Sequence, residues 1–122
     1  MIVLTDQWPP SLAAYRGILA RCLEAFAQAL PVEQVILFGS HARGQARTDS
    51  DVDLCVVTGG LQSQHRAAIA LRKAIGEVRG KPSLTIIPIS ASRLEEKKRS
   101  RDPFFDTIMG EGICLARGEN GS

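Results

Sequence analysis

The architecture of this chain is set by residues 34–54, which read Gln34-Val35-Ile36-Leu37-Phe38-Gly39-Ser40-His41-Ala42-Arg43-Gly44-Gln45-Ala46-Arg47-Thr48-Asp49-Ser50-Asp51-Val52-Asp53-Leu54. The apolar and β-branched run at 34–38 ends at a glycine, as a buried strand does. A second apolar run covers 52–58 and is ended by Gly59-Gly60. The pattern predicts two strands joined by a polar connection.

Gly39-Ser40 predicts a tight turn at the end of the first strand. Glycine lets the backbone come close to a ligand. If a short helix begins at Ser40, its free N–H groups and the serine hydroxyl face any phosphate placed there. Arg43 is within reach of such a phosphate, although an exposed arginine on the turn is the default interpretation. The alternative for the whole pair is an ordinary turn with Ser40 as a helix cap.

Asp51-Val52-Asp53 brings two carboxylates to the start of the second strand. Residues two apart on a strand project from the same face, so these side chains would lie side by side. Like charges so placed repel each other, and a hard cation such as Mg²⁺ relieves that repulsion. The alternative is a solvated strand entrance. A turn that suits phosphate and a carboxylate pair that suits a metal ion, at this spacing and between two apolar strands, together favour a functional site over two unrelated structural features.

Outside this stretch, helix and strand patterns alternate. Apolar residues recur every three or four positions over 11–29, between Pro9-Pro10 and Pro31, which predicts an amphipathic helix. Further helices are predicted at about 62–79, 91–100 and 103–110, and further strands at 83–89 and 113–116. The prediction is one α/β (α+β) domain over 1–122, with a small mixed sheet flanked by helices, a core at about 11–116 and a flexible tail at 117–122.

Composition excludes several classes of protein. With 122 residues, 44% of them hydrophobic and 23% charged, the chain has the profile of one small globular domain. It contains no apolar run of the roughly 18 residues that a membrane helix requires, and its amino terminus lacks a signal-peptide pattern, so we expect a cytoplasmic protein. The three cysteines are far apart and predict buried free thiols. His41 and His65 are expected at the surface.

The net charge of +2 is unevenly distributed. Residues 1–60 carry four basic and six acidic side chains, whereas residues 61–122 carry eleven basic and seven acidic ones, giving about −2 and +4. The densest basic run lies at 93–101. The usual meaning of such a run is a solvated helix face; the alternative is a contact surface for a triphosphate, RNA or an acidic partner. A nucleic-acid partner is not favoured by so modest a charge, and self-association stays open.

The spacing of Gly39-Ser40 and Asp51-x-Asp53 resembles the signature of the polymerase β-like nucleotidyltransferases. The fuller residue pattern, Gly39-Ser40-x-Ala42-x-Gly44 followed by Ser50-Asp51-x-Asp53-Leu54, is most similar to the minimal nucleotidyltransferases. Residues 104–115 also resemble the closing helix and strand of that family. The resemblance implies transfer of a nucleoside monophosphate, typically AMP from ATP, with Mg²⁺ held by Asp51 and Asp53 and the phosphates by Gly39, Ser40 and Arg43. It also implies an antitoxin role beside a HEPN-type ribonuclease toxin.

The chain departs from that family at one position. Active members usually carry a third carboxylate on the following strand, but residues 83–89 read Ser83-Leu84-Thr85-Ile86-Ile87-Pro88-Ile89 and contain no acid. From its place between Leu84 and Ile86, Thr85 is expected at the position that the third carboxylate would occupy, and Ser83 is the next choice. A hydroxyl is neither an anionic metal ligand nor a useful base near neutral pH. Two hypotheses follow: an active nucleotidyltransferase, or a weakened or inactive fold that neutralises its partner by binding.

Overall fold

A five-stranded mixed sheet forms the centre of the structure, a computed structural model that describes residues 1–60 and 63–119. The strands are Ile2–Val3 (β1), Val32–Phe38 (β2), Val52–Thr58 (β3), Leu84–Ser90 (β4) and Ile113–Arg117 (β5). The α-helices are Arg16–Ala29 (α1), Gln64–Ala74 (α2), Ala91–Arg99 (α3) and Pro103–Glu111 (α4). This arrangement confirms the predicted fold class.

The strand order is β1-β5-β2-β3-β4. β3 pairs antiparallel with β2 and parallel with β4, and β5 pairs antiparallel with both β1 and β2. A parallel pair needs a crossover connection, and α2 supplies it between β3 and β4. The carboxyl end of β2 therefore lies beside the amino ends of β3 and β4, where the motif residues are.

Two apolar layers cover the two faces of the sheet. On one face α1 and α2 pack over a large core, which includes Leu37, Leu54 and Ile86. On the other face α3 and α4 pack over a smaller core, which includes Cys55, Val57 and Ile108. Because successive residues of a strand point to opposite faces, β3 contributes to both cores by alternation.

β4 lies at an edge of the sheet, and side chains from α2 cover its outer carbonyl groups. Arg72 Nη2 donates to the Leu84 carbonyl at 2.7 Å, and Gln64 Nε2 donates to the Pro88 carbonyl at 2.6 Å. Proline has no N–H to donate, which suits an edge strand. These contacts satisfy backbone groups that would otherwise be open to pairing with another chain.

The amino-terminal segment differs from the prediction. Residues Pro10–Tyr15 form a 3-10 helix, and α1 begins only at Arg16, because the backbone of Tyr15 (φ −107°, ψ 8°) leaves the helical region. The pattern also gave no sign of β1, which pairs with β5, or of the 3-10 helix at Thr5–Gln7. Trp8 is buried next to that helix and donates through Nε1 to the Leu115 carbonyl at 3.1 Å.

The second predicted helix, 62–79, is shorter than expected: α2 ends at Ala74, and Gln62 lies outside the described residues. Glycine disfavours helix, and Gly76 lies just beyond the helix end. Ile75 and Val78 are nevertheless buried, as the periodicity predicted. Lys81 Nζ donates to their two carbonyls at 3.0 and 2.6 Å, which replaces the helical hydrogen bonds that are lost.

The carboxyl-terminal prediction also needs correction. Arg117, assigned to a flexible tail, belongs to β5 and pairs with Gln34 and Ile2. Gly118 N–H donates to the Glu33 carbonyl at 2.8 Å, and Glu119 Oε1 accepts from the amino terminus of Met1 at 3.1 Å. These contacts exist because β5 lies between β1 and β2 and brings the chain end beside both. Residues 120–122 lie outside the described part of the chain.

Three smaller expectations have clear outcomes. The cysteines are free thiols; Cys22 and Cys55 are buried as predicted, but Cys114 is only partly buried because it lines a cleft between β5 and α3. His65 is exposed, as expected. No helix in residues 1–60 or 63–119 is long and apolar enough to cross a membrane.

Candidate active site

The Gly39 turn is the first element of the candidate site. Gly39 has a φ of +77°, and a Cβ added to it would overlap Asp53 Oδ2. Only glycine tolerates both conditions, since L-residues avoid positive φ. The motif glycine and the second motif aspartate, fourteen positions apart in the sequence, are therefore in direct contact. The close backbone approach predicted from the sequence is present.

The short helix expected at Ser40 does not form. Residues 40–44 make a hydrogen-bonded turn, in which Arg43 N–H donates to the Gly39 carbonyl at 3.1 Å and Gln45 N–H to the Ser40 carbonyl at 2.9 Å. Gly44 has a φ of +73°, which ends any helical path after one turn. Ser40 is half-buried on this turn. Backbone N–H groups of a turn can still converge on an anion, as they do at a helix start.

The two aspartates lie at the start of β3. Asp53 is the second residue of that strand and is half-buried, whereas Asp51 precedes the strand and is exposed. Burial raises the pKa of the Asp53 carboxyl; a hydrogen bond from Thr85 lowers it, and the negative charge of Asp51 raises it again. His41 and Arg43 lower the pKa of Asp53 by smaller amounts. Asp51, His41 and Arg43 thus act electrostatically on one carboxylate.

Thr85 is the residue of β4 that faces Asp53. The parallel register pairs Asp53 with Thr85 directly, one position after the pair of Val52 and Leu84. Ser83 precedes the strand and is exposed, and its carbonyl accepts the Val52 N–H at 2.9 Å. Of the two residues considered for the missing carboxylate, Thr85 is the one in contact with the aspartate. Thr85 provides an uncharged hydroxyl beside Asp53, and it lowers the pKa of that carboxyl.

The donor set suits one hard cation that also binds phosphate. Mg²⁺ in nucleotide sites is held by one or two carboxylates and completes its coordination with phosphate oxygens and water. Asp51 and Asp53 are the two carboxylates at the start of β3, and the charge of Asp51 contributes to raising the pKa of Asp53. In the part of the chain that the structure describes, no three His, Cys, Asp or Glu side chains form a group that could hold a metal ion by themselves.

Glu111 is a site residue that the sequence did not reveal. Its Oε1 accepts the Gly39 N–H at 3.3 Å and lies 3.1 Å from Arg43 Nη1. The residue ends α4, and 72 positions separate it from Gly39. A sequence signal did exist, namely a single acid between Gly110 and Gly112 at a predicted helix end. Nothing local connected that acid with the Gly39 turn.

His41 was expected at the surface but is 5% exposed. Its Nδ1 lies 2.8 Å from Ser11 Oγ, a hydrogen bond that joins the turn to the 3-10 helix Pro10–Tyr15. A histidine can be buried when its ring nitrogen has a partner, and the fold supplies that partner from the segment before α1. His41 also lines a cleft of about 330 Å³ together with Tyr15 and Arg47. The ring therefore anchors the turn.

Most basic side chains of the run at 93–101 form ion pairs with nearby acids. Arg93 lies 3.8 Å from Glu96, Lys98 lies 3.2 Å from Glu95, and both pairs are three residues apart on α3. Two further pairs join the run to α4, from Lys97 to Asp102 at 3.6 Å and from Arg101 to Asp106 at 3.2 Å. Most of the positive charge is compensated, which favours the interpretation of α3 as a solvated face.

The chain is similar to known nucleotidyltransferases in sequence and in fold. The sequence model of the family described as "Nucleotidyltransferase domain" matches residues 19–108. Among solved structures, a protein from Sulfolobus solfataricus described as a nucleotidyltransferase aligns with a TM-score of 0.61 at 20% identity, covering 91% of this chain and 87% of that chain. A toxin-antitoxin structure with AMP-PNP aligns with a TM-score of 0.53 at 16% identity, covering 82% and 73%. The comparison with curated proteins gives no match.

Proposed function

This chain belongs to the nucleotidyltransferase domain family, and on that premise we propose that it transfers a nucleoside monophosphate, AMP from ATP, to a hydroxyl group of a protein acceptor. The proposed acceptor is a HEPN-type toxin, for which the chain would act as antitoxin. The family assignment confirms the resemblance drawn from residues 39–54. The substrate, acceptor and partner are proposals.

The observation that carries this proposal is the contact between the Gly39 turn and Asp53. A turn that presents backbone N–H groups suits the phosphates, and a carboxylate pair at the same point suits the cation that accompanies them. Position 39 requires glycine both because its φ is positive and because a Cβ would overlap Asp53. The absence of a side chain there lets the turn and the carboxylate lie together. A merely structural turn has no need of a carboxylate against its backbone.

In the proposed reaction, an oxygen of the acceptor hydroxyl attacks the α-phosphorus of ATP. A new phosphorus–oxygen ester bond forms, the bond between the α-phosphorus and the bridging oxygen to the β-phosphate breaks, and pyrophosphate leaves. The hydroxyl proton passes to water. The residue of β4 that pairs with Asp53 is Thr85, and a hydroxyl cannot accept that proton as a carboxylate would.

The residues of the site have separable roles in this proposal. Gly39 and Ser40 bind the β- and γ-phosphates through N–H groups and the serine hydroxyl, and Arg43 adds a positive charge. Asp51 and Asp53 would hold Mg²⁺, which neutralises the triphosphate and the charge that develops on the attacking and leaving oxygens. ATP as the nucleotide and a toxin as the partner are supported by the structural neighbour that is a toxin-antitoxin structure with AMP-PNP.

A second candidate function is favoured by Thr85. Without a carboxylate opposite Asp53, the chain would be a weakened or inactive nucleotidyltransferase fold that neutralises a partner ribonuclease by forming a complex. Nucleotide binding is compatible with both candidates, so only transfer distinguishes them.

The test is transfer of label from α-labelled ATP with Mg²⁺ onto the product of the gene adjacent to that of this chain. We compare wild type with Asp51→Asn/Asp53→Asn, and Thr85→Asp with the uncharged Thr85→Asn. Label that requires both aspartates and increases in Thr85→Asp supports the enzyme with a missing acid. Absence of label in wild type, together with a stable complex, contradicts transfer and supports the binding module.

A further inference from the structure

The carboxylate of Glu111 occupies the place that the Gly39 turn offers to an anion. One oxygen, Oε1, accepts from Gly39 N–H at 3.3 Å and pairs with Arg43 Nη1 at 3.1 Å. These are two of the groups to which the proposed function assigns the phosphates. The side chain of Glu111 is 23% exposed and that of Arg43 is 43% exposed, so both can exchange partners without unfolding the core.

The position of Glu111 is unfavourable within its own helix. It is the last residue of α4, where the partial negative charge of the helix end disfavours an acid. The backbone nevertheless fixes it there, because a Cβ at the next residue, Gly112, would overlap the Ile108 carbonyl and lie 2.5 Å from Ile36 Cγ2. The glycine lets α4 pass into β5 at close range and holds Glu111 over the Gly39 turn.

A metal-binding role and a purely structural role both fit Glu111 less well. It does not complete a three-ligand metal set with Asp51 and Asp53, since residues 1–60 and 63–119 contain no such group. As a partly exposed ion pair it would contribute little stability by itself. Neither role requires the hydrogen bond to the Gly39 backbone, which is the contact shared with a phosphate.

We propose that Glu111 is a built-in competitor of the triphosphate: its carboxylate occupies Gly39 N–H and Arg43 and must withdraw before the phosphates bind. This inference rests on the proposed function, because it concerns the same turn. Glu111 thereby sets a threshold for nucleotide binding. A signal that displaces the end of α4, such as contact with a protein partner, would lower that threshold.

The experiment measures the Kd of Mg²⁺·AMP-PNP by calorimetry for wild type, Glu111→Gln and Glu95→Gln. Glutamine keeps the size of the side chain and removes its charge. Glu95 is a matched control, since its carboxylate also makes an exposed ion pair, at 3.2 Å to Lys98, on a different helix. Glu111→Gln should tighten binding at least about fivefold, as expected from removing one like charge at about 4 Å in water, and Glu95→Gln should leave Kd unchanged.

An equal or higher Kd in Glu111→Gln overturns the competitor role. If that variant does not fold, Glu111→Asp replaces it, because the shorter side chain withdraws the carboxylate from Gly39 and should also tighten binding. Tighter binding without any transfer would contradict the proposed reaction and leave the competitor role intact. No binding by any of these proteins at millimolar nucleotide would overturn both.

Discussion

The two faces of β3 differ although they are made of alternate residues of one strand. The side chains of Val52, Leu54 and Val56 point to α1 and α2 and are fully buried. On the opposite face Cys55 and Val57 pack against α3 and α4, but Asp53 lies at the start of the strand and remains half-buried. One face is a closed core along its whole length, and the other is open at one end.

The difference arises from where the covering helices lie. α3 and α4 reach the far end of the second face through Leu94, Phe105 and Ile108. Toward the Gly39 turn, α4 ends at Glu111, a charged residue whose carboxylate accepts the Gly39 N–H. One face of the sheet therefore contributes stability, and the other carries a polar site at its corner. Glu111 lies at the boundary between the apolar core and that site.

The largest expected effect tests the closed face. Leu54→Ala should lower the free energy of unfolding by about 2–5 kcal/mol, because it leaves a cavity in a fully buried position. Urea unfolding followed by circular dichroism measures the change. Asp53→Ala, the adjacent residue on the open face, is the control and should cost far less. Equal losses for the two variants would mean that the faces do not differ in the way described.

A smaller effect is expected at the Gly39 turn. Gly39→Ala should cost about 1–2 kcal/mol for its positive φ, with a further loss from the overlap with Asp53 Oδ2. Gly44→Ala is a matched control, because its φ is +73° and a Cβ there meets no atom within 4 Å. Thermal unfolding of both variants isolates the contact with Asp53. In an Asp53→Ala background the two substitutions should become equally costly; a persistent difference would place the strain elsewhere.

The smallest effect is expected for Asp53→Asn, which should stabilise the protein, whereas the two preceding substitutions destabilise it. Burial raises the pKa of this carboxyl, with Thr85 lowering it and Asp51 raising it. The folded state therefore binds more protons than the unfolded state in the window between the ordinary Asp pKa and the raised one, so stability falls as pH rises through that window. Without divalent cation, Asp53→Asn should stabilise the protein at neutral pH by less than about 1 kcal/mol, given solvent screening.

The pH dependence of unfolding checks that sign. The gain in Asp53→Asn should be present at pH 7 and vanish below about pH 3.9, where Asp is protonated even in the unfolded chain. Added Mg²⁺ should stabilise wild type and not the variant, because the cation favours the charged pair. A loss of stability in Asp53→Asn at pH 7 without cation would show that the carboxylate serves the fold as well as the site.

Local patterns predicted the elements near the motif well. β3 has the predicted bounds, 52–58, because its apolar run is bracketed by aspartates and glycines. The glycine turn after β2 also follows from nearby residues, whereas the antiparallel pairing of β2 with β3 was not predicted. The errors occur where local signals compete with packing: Tyr15 interrupts the first helix, α2 ends early at Ala74, and His41 is buried by a partner thirty residues away.

The sequence by itself determined the family and the glycine turn followed by two aspartates, because these depend on residues within about one element of each other along the chain, and the alternation of helix and strand patterns indicated the mixed fold. Only the tertiary structure decided that Thr85 faces Asp53 and that Glu111 lies on Gly39. The first depends on the register of β3 against β4, since a shift of one residue would present the opposite face. The second depends on how α4 docks on the sheet, which brings together groups 72 positions apart that no periodic pattern connects.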